Sequence, residues 1–164
     1  MDQQLLNAAE ALGETLKKRS LRLATAESCT AGLISTALGA ASGSSEFFTT
    51  GIVTYTDTAK HRILKVRKES LQIHSAVSEQ VVREMASGTK HISGEAVSLA
   101  ITGYAGPDGG EDGTPAGTVW FAWGLPEQQL FSCVKLFTGA PEDVIHAAAL
   151  FAMSRLTTLL ESEK

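Results

Sequence analysis

The sequence predicts a three-layer α/β/α protein built on a mixed, mainly parallel sheet, and three observations support this fold class. Helical and strand-like patterns alternate through the first half of the chain. Residues 96–101 form an almost continuously apolar run, which is typical of a strand buried on both faces. Residues 118–123 and 130–137 are two further strand-like segments, and the short interval between them predicts an antiparallel pair. Helices covering both faces of such a sheet give three layers.

The composition is that of a globular protein in water. The chain has 164 residues, which fits a single domain spanning 1–164. Its net charge of −4 and its lack of Lys or Arg runs disfavour nucleic-acid binding, which depends on neutralising phosphates. The chain start lacks the pattern of a signal peptide, and no apolar run approaches the length of a membrane span. We therefore expect a cytoplasmic protein with no nucleic-acid or membrane partner.

The cysteines and histidines give no sign of a metal centre. Cys29 and Cys133 are the two cysteines, and the four histidines are scattered along the chain. No group of these residues has the spacing of zinc ligands. We predict a protein with no metal and no cofactor, and one disulfide between the two cysteines stays open.

The first elements follow from hydrophobic spacing. Four apolar residues recur at helical intervals ahead of a cationic stretch, which predicts an amphipathic first helix: Leu5, Ala9, Leu12 and Leu16. Residues 21–26 predict a short strand, and the small apolar residues 30–40 predict a helix after it. Only residues 27–29 connect this strand to this helix, so the turn between them is very short.

The middle of the chain continues the alternation. Residues 47–55 are rich in aromatic and β-branched side chains and predict a strand. Residues 56–58 predict a turn or helix cap ahead of a short helix over 59–64.

Two longer helices complete the set. Ser78 is a suitable N-cap for a helix over 79–91. Pro141 suits the first turn of a final helix over 141–160, because a proline at that position sacrifices no helical hydrogen bond.

Three polar residues lie where strands are predicted to end. Ser28 and Thr102 follow predicted strands, and Tyr55 stands at the end of another. In open α/β sheets, binding sites form beyond the carboxyl ends of the strands. We therefore expect the three residues to share one site.

Ser28 is the candidate nucleophile. A serine at a strand-to-helix turn can project its hydroxyl from the sheet, and free N–H groups at the helix start can stabilise an anion. The small residues after it would let a ligand approach the backbone, which makes Cys29, Thr30 and Gly32 substrate-binding candidates. A plain helix N-cap is the alternative role for Ser28, and Cys29 is a rival nucleophile.

Lys60 is the candidate general base. A lysine serves as a base when burial or a neighbouring cation lowers its pKa, and Tyr55 is placed to relay a proton or orient the amine. The alternative is a solvated charge at a helix start. Four residues separate Tyr55 from Lys60, one more than in the pair used by short-chain dehydrogenases, and no glycine fingerprint follows the first strand.

A glycine-rich loop over 103–117 follows the apolar strand. Backbone N–H groups in such a loop can face a phosphate or an oxyanion. The candidates for this role are Thr102, Gly103, Gly106, Gly109 and Gly110. The segment matches neither a phosphate-binding P-loop nor a dinucleotide fingerprint, and a flexible surface loop is the alternative.

Several motifs in order resemble a known family. They are Ala24-Thr25-Ala26-Glu27-Ser28-Cys29-Thr30, Gly51-Ile52-Val53-Thr54-Tyr55 with Ala59-Lys60, His74-Ser75-Ala76-Val77-Ser78, Thr102-Gly103 with Ala105-Gly106-Pro107-Asp108-Gly109-Gly110, and Gly117-Thr118-Val119-Trp120. The sequence is similar over nearly its whole length to the CinA C-terminal domain family, whose enzymes are nicotinamide-nucleotide amidases.

The resemblance implies a fold, a reaction and roles for individual residues. It implies a three-layer α/β fold, a homo-oligomer, and metal-independent hydrolysis of nicotinamide mononucleotide to nicotinic acid mononucleotide and ammonia. Ser28 matches the nucleophile of the family, Lys60 the base and Tyr55 its partner. Thr102 and the glycines after it match the residues that line the ligand site.

The chain departs from the family pattern at several positions. Ala31-Gly32 replaces a Gly-Gly pair, and Tyr104 stands where the family has an aliphatic residue. Cations of the family are absent at Thr114 and around Ala140, Pro141 and Ile145. A phosphate needs cations or hydrogen-bond donors. Two alternatives therefore stay open: an amidase for a different, unphosphorylated amide, and a catalytically impaired paralogue or binding module.

Overall fold

The computed structural model describes residues 1–162, so the last two residues of the predicted domain 1–164 lie outside the described residues. The five strands are β1 (Leu23–Glu27), β2 (Phe48–Val53), β3 (Val97–Gly103), β4 (Thr118–Gly124) and β5 (Leu130–Leu136). The six α-helices are α1 (Gln3–Lys18), α2 (Leu33–Ala40), α3 (Asp57–Leu64), α4 (Lys68–His74), α5 (Glu79–Ser93) and α6 (Pro141–Ser162).

The strands form one mixed sheet in the order β2-β1-β3-β4-β5. β1 pairs in parallel with both β2 and β3, whereas β4 is antiparallel to β3 and β5. Four of the five strands therefore point in one direction, and β4 alone among them is reversed. The predicted fold class, a three-layer α/β/α arrangement with a mixed, mainly parallel sheet, is confirmed.

One face of the sheet is covered by α1, α2 and α6. Leu5, Leu12 and Leu16 of α1 are buried there, as their helical spacing predicts. Trp123 of β4 packs in the same cluster, and its indole N–H donates to the Ala152 carbonyl of α6 over 3.0 Å. Burying a large apolar side chain contributes about 1.5–3 kcal/mol, so this layer supplies much of the stability.

Helix α6 is long and apolar enough to meet the length and composition criteria of a membrane span, although no such segment is expected from the sequence. Part of this helix is buried in the core of the α/β fold. Its buried residues are Val144, Ala148, Ala149, Ala152, Met153, Leu156 and Leu160.

The opposite face is covered by α3, α4 and α5. The Ser78 hydroxyl caps α5 by accepting a hydrogen bond from the Val81 N–H at 3.3 Å, as predicted. A Cβ atom on Gly88 of α5 would lie 2.0 Å from the Leu64 carbonyl oxygen of α3. Only glycine permits this approach, so Gly88 determines how closely α3 packs against the sheet-bound helix α5.

Several predicted boundaries differ from those observed, and three of them concern candidate site residues. The helix predicted over 30–40 begins at Leu33, because residues 28–32 form a turn in which Ala31 and Gly32 adopt positive φ angles of 48° and 100°. The predicted strand over 47–55 ends at Val53. Thr102 lies inside β3 rather than after it, because its strand pairs with β4 as far as Gly103.

Helix α4 (Lys68–His74) was not predicted. Its seven residues are too few to show a clear hydrophobic period, and only Ser70 among them is buried. The helix is instead attached to α5 through Glu84, which accepts hydrogen bonds from the Arg67 N–H at 2.8 Å and the Ser70 hydroxyl at 2.5 Å.

Candidate active site

The ends of the parallel strands meet at a pocket of about 320 Å³. Ser28 follows β1, Tyr55 lies two residues beyond β2, and Thr102 is the penultimate residue of β3. All three residues line this pocket together with Lys60 of α3. The structure therefore brings together the residues that the strand ends single out in the sequence.

Ser28 and Lys60 are in direct hydrogen-bond contact. The Lys60 amine donates to the Ser28 Oγ over 2.9 Å. The same amine contacts the backbone carbonyl oxygens of Thr54 at 3.0 Å and Tyr55 at 3.4 Å. Three acceptors thus surround the nitrogen of a side chain that is only 1% exposed.

Burial lowers the pKa of Lys60, because an ammonium group is poorly solvated in the protein interior. The carboxylate of Asp57, one helical turn earlier on α3, acts in the opposite direction, as does Cys29. No ion pair to Lys60 within 4.0 Å occurs among residues 1–162. The solvated charge considered from the sequence is therefore wrong, because the amine is buried beside Ser28.

Lys60 is buried because of how α3 begins and packs. The Thr56 hydroxyl caps α3 by accepting from the Ala59 N–H at 3.2 Å, which confirms the predicted cap at this turn. The helix then lies against α5 at Gly88, so that Lys60 points towards the strand ends instead of solvent.

Ser28 is not a helix N-cap. Gly32 occupies the N-cap position of α2, four residues later. The first N–H groups of α2 are not free to bind an anion either, because the Glu27 carboxylate accepts from the Ile34 N–H at 2.9 Å and the Ser35 N–H at 2.8 Å. The expected anion site at this helix start is occupied by a side chain of the protein itself.

Cys29 lines the pocket as a neutral thiol. It is 8% exposed, and burial raises its pKa to about 12. The neighbouring N–H groups of Cys29 and Thr30 and the charge of Lys60 oppose this rise but do not outweigh it. A thiol that stays protonated is a poor nucleophile, which disfavours Cys29 as the rival of Ser28. Cys29 and Cys133 are both free cysteines.

Thr102 holds one wall of the pocket in place. Its hydroxyl donates to the Ala76 carbonyl over 3.0 Å. The whole Thr102 residue is only 1% exposed. Ala76 and Val77 line the pocket on the connection between α4 and α5. Ser75, which precedes them, has a φ angle of 65°, a value that is unusual for a residue other than glycine.

Tyr55 contributes its backbone rather than its phenol to Lys60. Its side chain is 66% exposed at the pocket edge, and its carbonyl oxygen is the atom that contacts the amine. Among residues 1–162 the phenol has no hydrogen bond to Ser28 or Lys60, so the proton relay considered from the sequence is not assembled in this structure.

The predicted substrate-binding residues divide into two groups. Those that line the pocket are Cys29, Thr102, Gly103 and Gly106. Those that lie outside its lining are Thr30, Gly32, Gly109 and Gly110. The Thr30 hydroxyl donates a hydrogen bond to the Glu27 carboxylate at 2.6 Å, and Gly32 occupies the N-cap position of α2.

The glycines at 109 and 110 serve the internal packing of the loop. A Cβ atom on Gly109 would lie 2.2 Å from the Thr114 carbonyl oxygen, and one on Gly110 would lie 2.7 Å from the Tyr104 hydroxyl. The Gly110 N–H donates to the Thr114 carbonyl at 2.8 Å instead of facing the pocket. The loop is thus ordered by its own contacts.

Six further residues line the pocket without having been singled out as site residues: Asp57, Ala76, Val77, Tyr104, Ala105 and Asp108. Most of them belong to the segments that resemble the family, and this resemblance is the sequence signal that could have identified them. Asp57 lies in a predicted turn that gave no chemical indication. Two of the lining residues, Asp57 and Asp108, carry carboxylates. Among the lining residues within 1–162, Lys60 is the one with a basic side chain.

Residues 1–162 contain no group of three His, Cys, Asp or Glu side chains that could hold a metal ion.

Comparison with known proteins identifies the family. The profile of the CinA C-terminal domain matches residues 5–160. The chain belongs to the CinA C-terminal domain family. Protein YdeJ of Escherichia coli K12 is 50% identical over 154 residues, which cover 94% of this chain and 89% of YdeJ. The nicotinamide-nucleotide amidohydrolase PncC of Enterobacter agglomerans is 42% identical over 142 residues, which cover 87% of each chain.

Solved structures of CinA superfamily proteins share the fold. The superfamily protein KP700603 from Klebsiella pneumoniae superposes with a TM-score of 0.94 at 46% identity and covers 96% of this chain and 98% of that chain. This chain is thus a CinA-family α/β protein over nearly its whole length, with relatives that include named nicotinamide-nucleotide amidohydrolases.

Proposed function

We propose that this CinA-family protein is a serine amidohydrolase that converts nicotinamide mononucleotide to nicotinic acid mononucleotide and ammonia. The contact between Ser28 and the buried amine of Lys60 is the observation on which the mechanism rests. Relatives at 39–42% identity named nicotinamide-nucleotide amidohydrolase support a hydrolase acting on a carboxamide and supply the first substrate to test.

Lys60 is suited to deprotonate Ser28. When Lys60 is neutral, two of its N–H bonds donate to the Thr54 and Tyr55 carbonyl oxygens and its lone pair accepts from the Ser28 hydroxyl. The 2.9 Å hydrogen bond between Lys60 and Ser28 then runs in the opposite direction to that of the ammonium form. The amine takes the hydroxyl proton as the Ser28 Oγ bonds to the carboxamide carbon. The resulting ammonium returns this proton to the leaving nitrogen, the carbon–nitrogen bond breaks, and ammonia departs from an acyl-serine ester.

Water completes the reaction at the same two residues. Lys60, neutral again, takes a proton from a water molecule as its oxygen bonds to the ester carbon. The bond to Ser28 Oγ then breaks, the proton returns to Ser28, and the carboxylic acid is released. The net reaction consumes one water and forms one acid and one ammonia, so no further reactant is needed.

One backbone N–H group supports an oxyanion site. Among residues 1–162, the Cys29 N–H donates to no oxygen atom of the protein, and its neighbour is the Cys29 sulfur, a weak acceptor. An N–H group directly after a nucleophilic serine is a common donor to the developing oxyanion in hydrolases. Because Cys29 lines the pocket, we assign its N–H to the substrate carbonyl oxygen as this oxygen gains charge.

The charges of the pocket favour a second substrate class, an unphosphorylated carboxamide. Asp57 and Asp108 line the pocket, and its one lining cation, Lys60, is engaged with Ser28. Two carboxylates repel a phosphate, whereas they are compatible with a neutral or cationic ligand. The nucleoside form of the same amide is therefore the natural second substrate.

The decisive assay measures ammonia release from nicotinamide mononucleotide, with nicotinamide riboside and nicotinamide in parallel reactions. Turnover by the wild type that disappears in Ser28→Ala supports the amidohydrolase, and the preferred compound identifies the class. Turnover no higher than that of Ser28→Ala on every compound contradicts it. Ligand-induced thermal stabilisation without turnover would instead support a binding module.

The cellular setting stays a prediction. The sequence predicts a cytoplasmic homo-oligomer that acts on a small molecule, without nucleic-acid or membrane partners. Light scattering on the purified protein measures the oligomeric state, and cell fractionation measures the location.

A further inference from the structure

A fully buried carboxylate stands directly before Ser28. Glu27 is the last residue of β1, the strand between β2 and β3, and it has no exposed surface. Moving a carboxylate from water into the interior costs several kcal/mol unless other groups replace its hydration. No Lys, Arg or His lies within 4.0 Å of Glu27 among residues 1–162.

Hydrogen-bond donors take the place of a cation. The Glu27 Oε1 accepts from the Thr30 hydroxyl at 2.6 Å and from the Ile34 N–H at 2.9 Å. The Glu27 Oε2 accepts from the Ser35 N–H at 2.8 Å and from the Ser35 hydroxyl at 2.7 Å. Two of the four partners are backbone N–H groups, which only donate, and there is one such group on each carboxylate oxygen, so both oxygens act as acceptors.

These contacts span the turn that carries Ser28. Thr30 lies inside the turn over 28–32, and Ile34 and Ser35 form the first turn of α2. The turn contains two positive φ angles, at Ala31 and Gly32. A non-glycine residue in this region is strained, and such strain persists only where the surroundings hold it. The Glu27 side chain is the group that joins both ends of this turn.

The peptide bond between Glu27 and Ser28 is fixed independently by the sheet. The Ser28 N–H donates to the Ile101 carbonyl of β3 at 3.2 Å, and the Glu27 carbonyl accepts from the Thr54 N–H at 2.9 Å. The sheet therefore determines where Ser28 begins, while the Glu27 carboxylate determines the path of the chain after it. That path contains the Cys29 N–H group assigned to the oxyanion.

We propose that Glu27 is a positioning residue for the reaction: its carboxylate holds the turn over 28–32 so that the Ser28 hydroxyl faces Lys60 while the Cys29 N–H faces the substrate carbonyl. This inference rests on the proposed function, because it concerns the geometry of the same nucleophile. Glu27 does not touch the substrate, since it is closed off behind the turn.

Glu27→Gln is the variant that tests this role. The amide keeps the length of the side chain and one acceptor oxygen. In either orientation, however, its NH₂ group faces a backbone N–H, that of Ser35 or that of Ile34, which donates and cannot accept. We expect kcat to fall about tenfold to hundredfold while KM changes less than twofold, because misplacing a catalytic group by about 1 Å costs up to about 10²-fold in rate. Ser35→Ala removes one of the four contacts, and its kcat should fall less than that of Glu27→Gln.

Thr89→Val is the matched control. Thr89 is also fully buried, and its hydroxyl makes one hydrogen bond, to the Met85 carbonyl within α5 at 2.7 Å. Thermal unfolding of the variants measures the loss of stability, and the comparison is made well below every melting temperature. If Thr89→Val loses as much kcat as Glu27→Gln for the same loss of stability, the role of Glu27 is purely structural and the inference is overturned.

A second measurement separates this inference from the proposed function. Ser28 is labelled with a small organophosphonate fluoride, and the adduct is followed by mass spectrometry with Ser28→Ala as the blank. The reaction needs the nucleophile and its oxyanion donor but no knowledge of the substrate. Labelling of Glu27→Gln at least about tenfold slower than the wild type supports the inference. Labelling at the wild-type rate overturns it and leaves the proposed function intact, whereas an unreactive wild type contradicts both.

Discussion

The amine of Lys60 lies 2.9 Å from the Ser28 hydroxyl, although 32 positions separate the two residues in the chain. Its other two contacts are backbone carbonyls that follow β2, so the strand that ends beside β1 also orients the lysine. The contact between Ser28 and Lys60 therefore depends on one strand end, one turn and one helix, and each of these can be perturbed separately.

Replacing Lys60 tests its role as a base. Lys60→Arg keeps a cation that does not deprotonate near neutral pH, and Lys60→Met keeps an unbranched chain without the amine. We expect both variants to lose at least about 10²-fold in kcat, because general base catalysis contributes about 10²–10⁴-fold. Steady-state ammonia release measures this. Wild-type kcat in either variant would contradict a base at this position.

The pH dependence of activity follows from the direction of the pKa of Lys60. Burial lowers this pKa, and only the neutral amine accepts a proton, so activity should rise with pH as Lys60 deprotonates. The Asp57 carboxylate favours the charged amine. Asp57→Asn should therefore lower the pKa of Lys60 further and move the acidic limb of the profile to lower pH.

Profiles of kcat/KM against pH measure this shift. Glu69→Gln in the first turn of α4 is the control, because it removes a carboxylate that does not influence the pKa of Lys60. A limb that moves to higher pH in Asp57→Asn would show that another group titrates.

Gly88→Ala tests whether the close packing of α3 on α5 positions Lys60. The added Cβ would lie 2.0 Å from the Leu64 carbonyl oxygen, so α3 must move, and Lys60 moves with it. We expect a loss of about 1–3 kcal/mol in unfolding free energy, as for other overpacked sites, together with a lower kcat. Chemical denaturation and the amidase assay measure the two effects.

Gly39→Ala is the control for this variant. Gly39 lies in α2 with no atom within 4 Å of an added Cβ. Alanine is favoured over glycine in a helix by about 0.5–1 kcal/mol, so this variant should be slightly more stable than the wild type. A stable and fully active Gly88→Ala would contradict the close packing of α3 on α5.

The two cysteines should differ in reactivity. Burial raises the pKa of Cys29 to about 12, so almost none of its thiol is ionised near neutral pH. Cys133 is partly exposed, although burial raises its pKa as well. Iodoacetamide should therefore modify Cys133 first, as measured by peptide mass spectrometry. Faster modification of Cys29 would contradict its description as an inert, protonated thiol.

Asp108→Asn tests how the pocket treats a phosphate. Removing this lining carboxylate should raise kcat/KM for nicotinamide mononucleotide about two- to threefold and leave the value for nicotinamide riboside nearly unchanged, because an exposed charge acts weakly through solvent. Glu111→Gln removes the same charge from the same loop at a residue outside the pocket lining. An equal change in both variants would indicate a general charge effect and contradict a local role for Asp108.

Much of the fold could be predicted because it depends on local patterns. The helical spacing of Leu5, Leu12 and Leu16 predicts α1, and the preference of serine for N-cap positions makes Ser78 a signal for the start of α5. The predictions failed where local patterns are weak. Helix α4 is too short for a hydrophobic period, and the turn over 28–32 depends on a side-chain cap that no spacing rule indicates.

The sequence by itself determined the fold class, the family and the placing of Ser28, Tyr55 and Thr102 at one edge of the sheet, because hydrophobic period and the alternation of strands and helices can be read from neighbouring residues. Only the tertiary structure decided what these residues do there. In the folded protein Lys60 is buried against Ser28 and contacts the Tyr55 carbonyl, not its phenol. The first N–H groups of α2 donate to the Glu27 carboxylate. The physical reason is that burial, pKa and hydrogen-bond partners arise from segments that are distant in the chain and meet only when α3 and the parallel strands pack together.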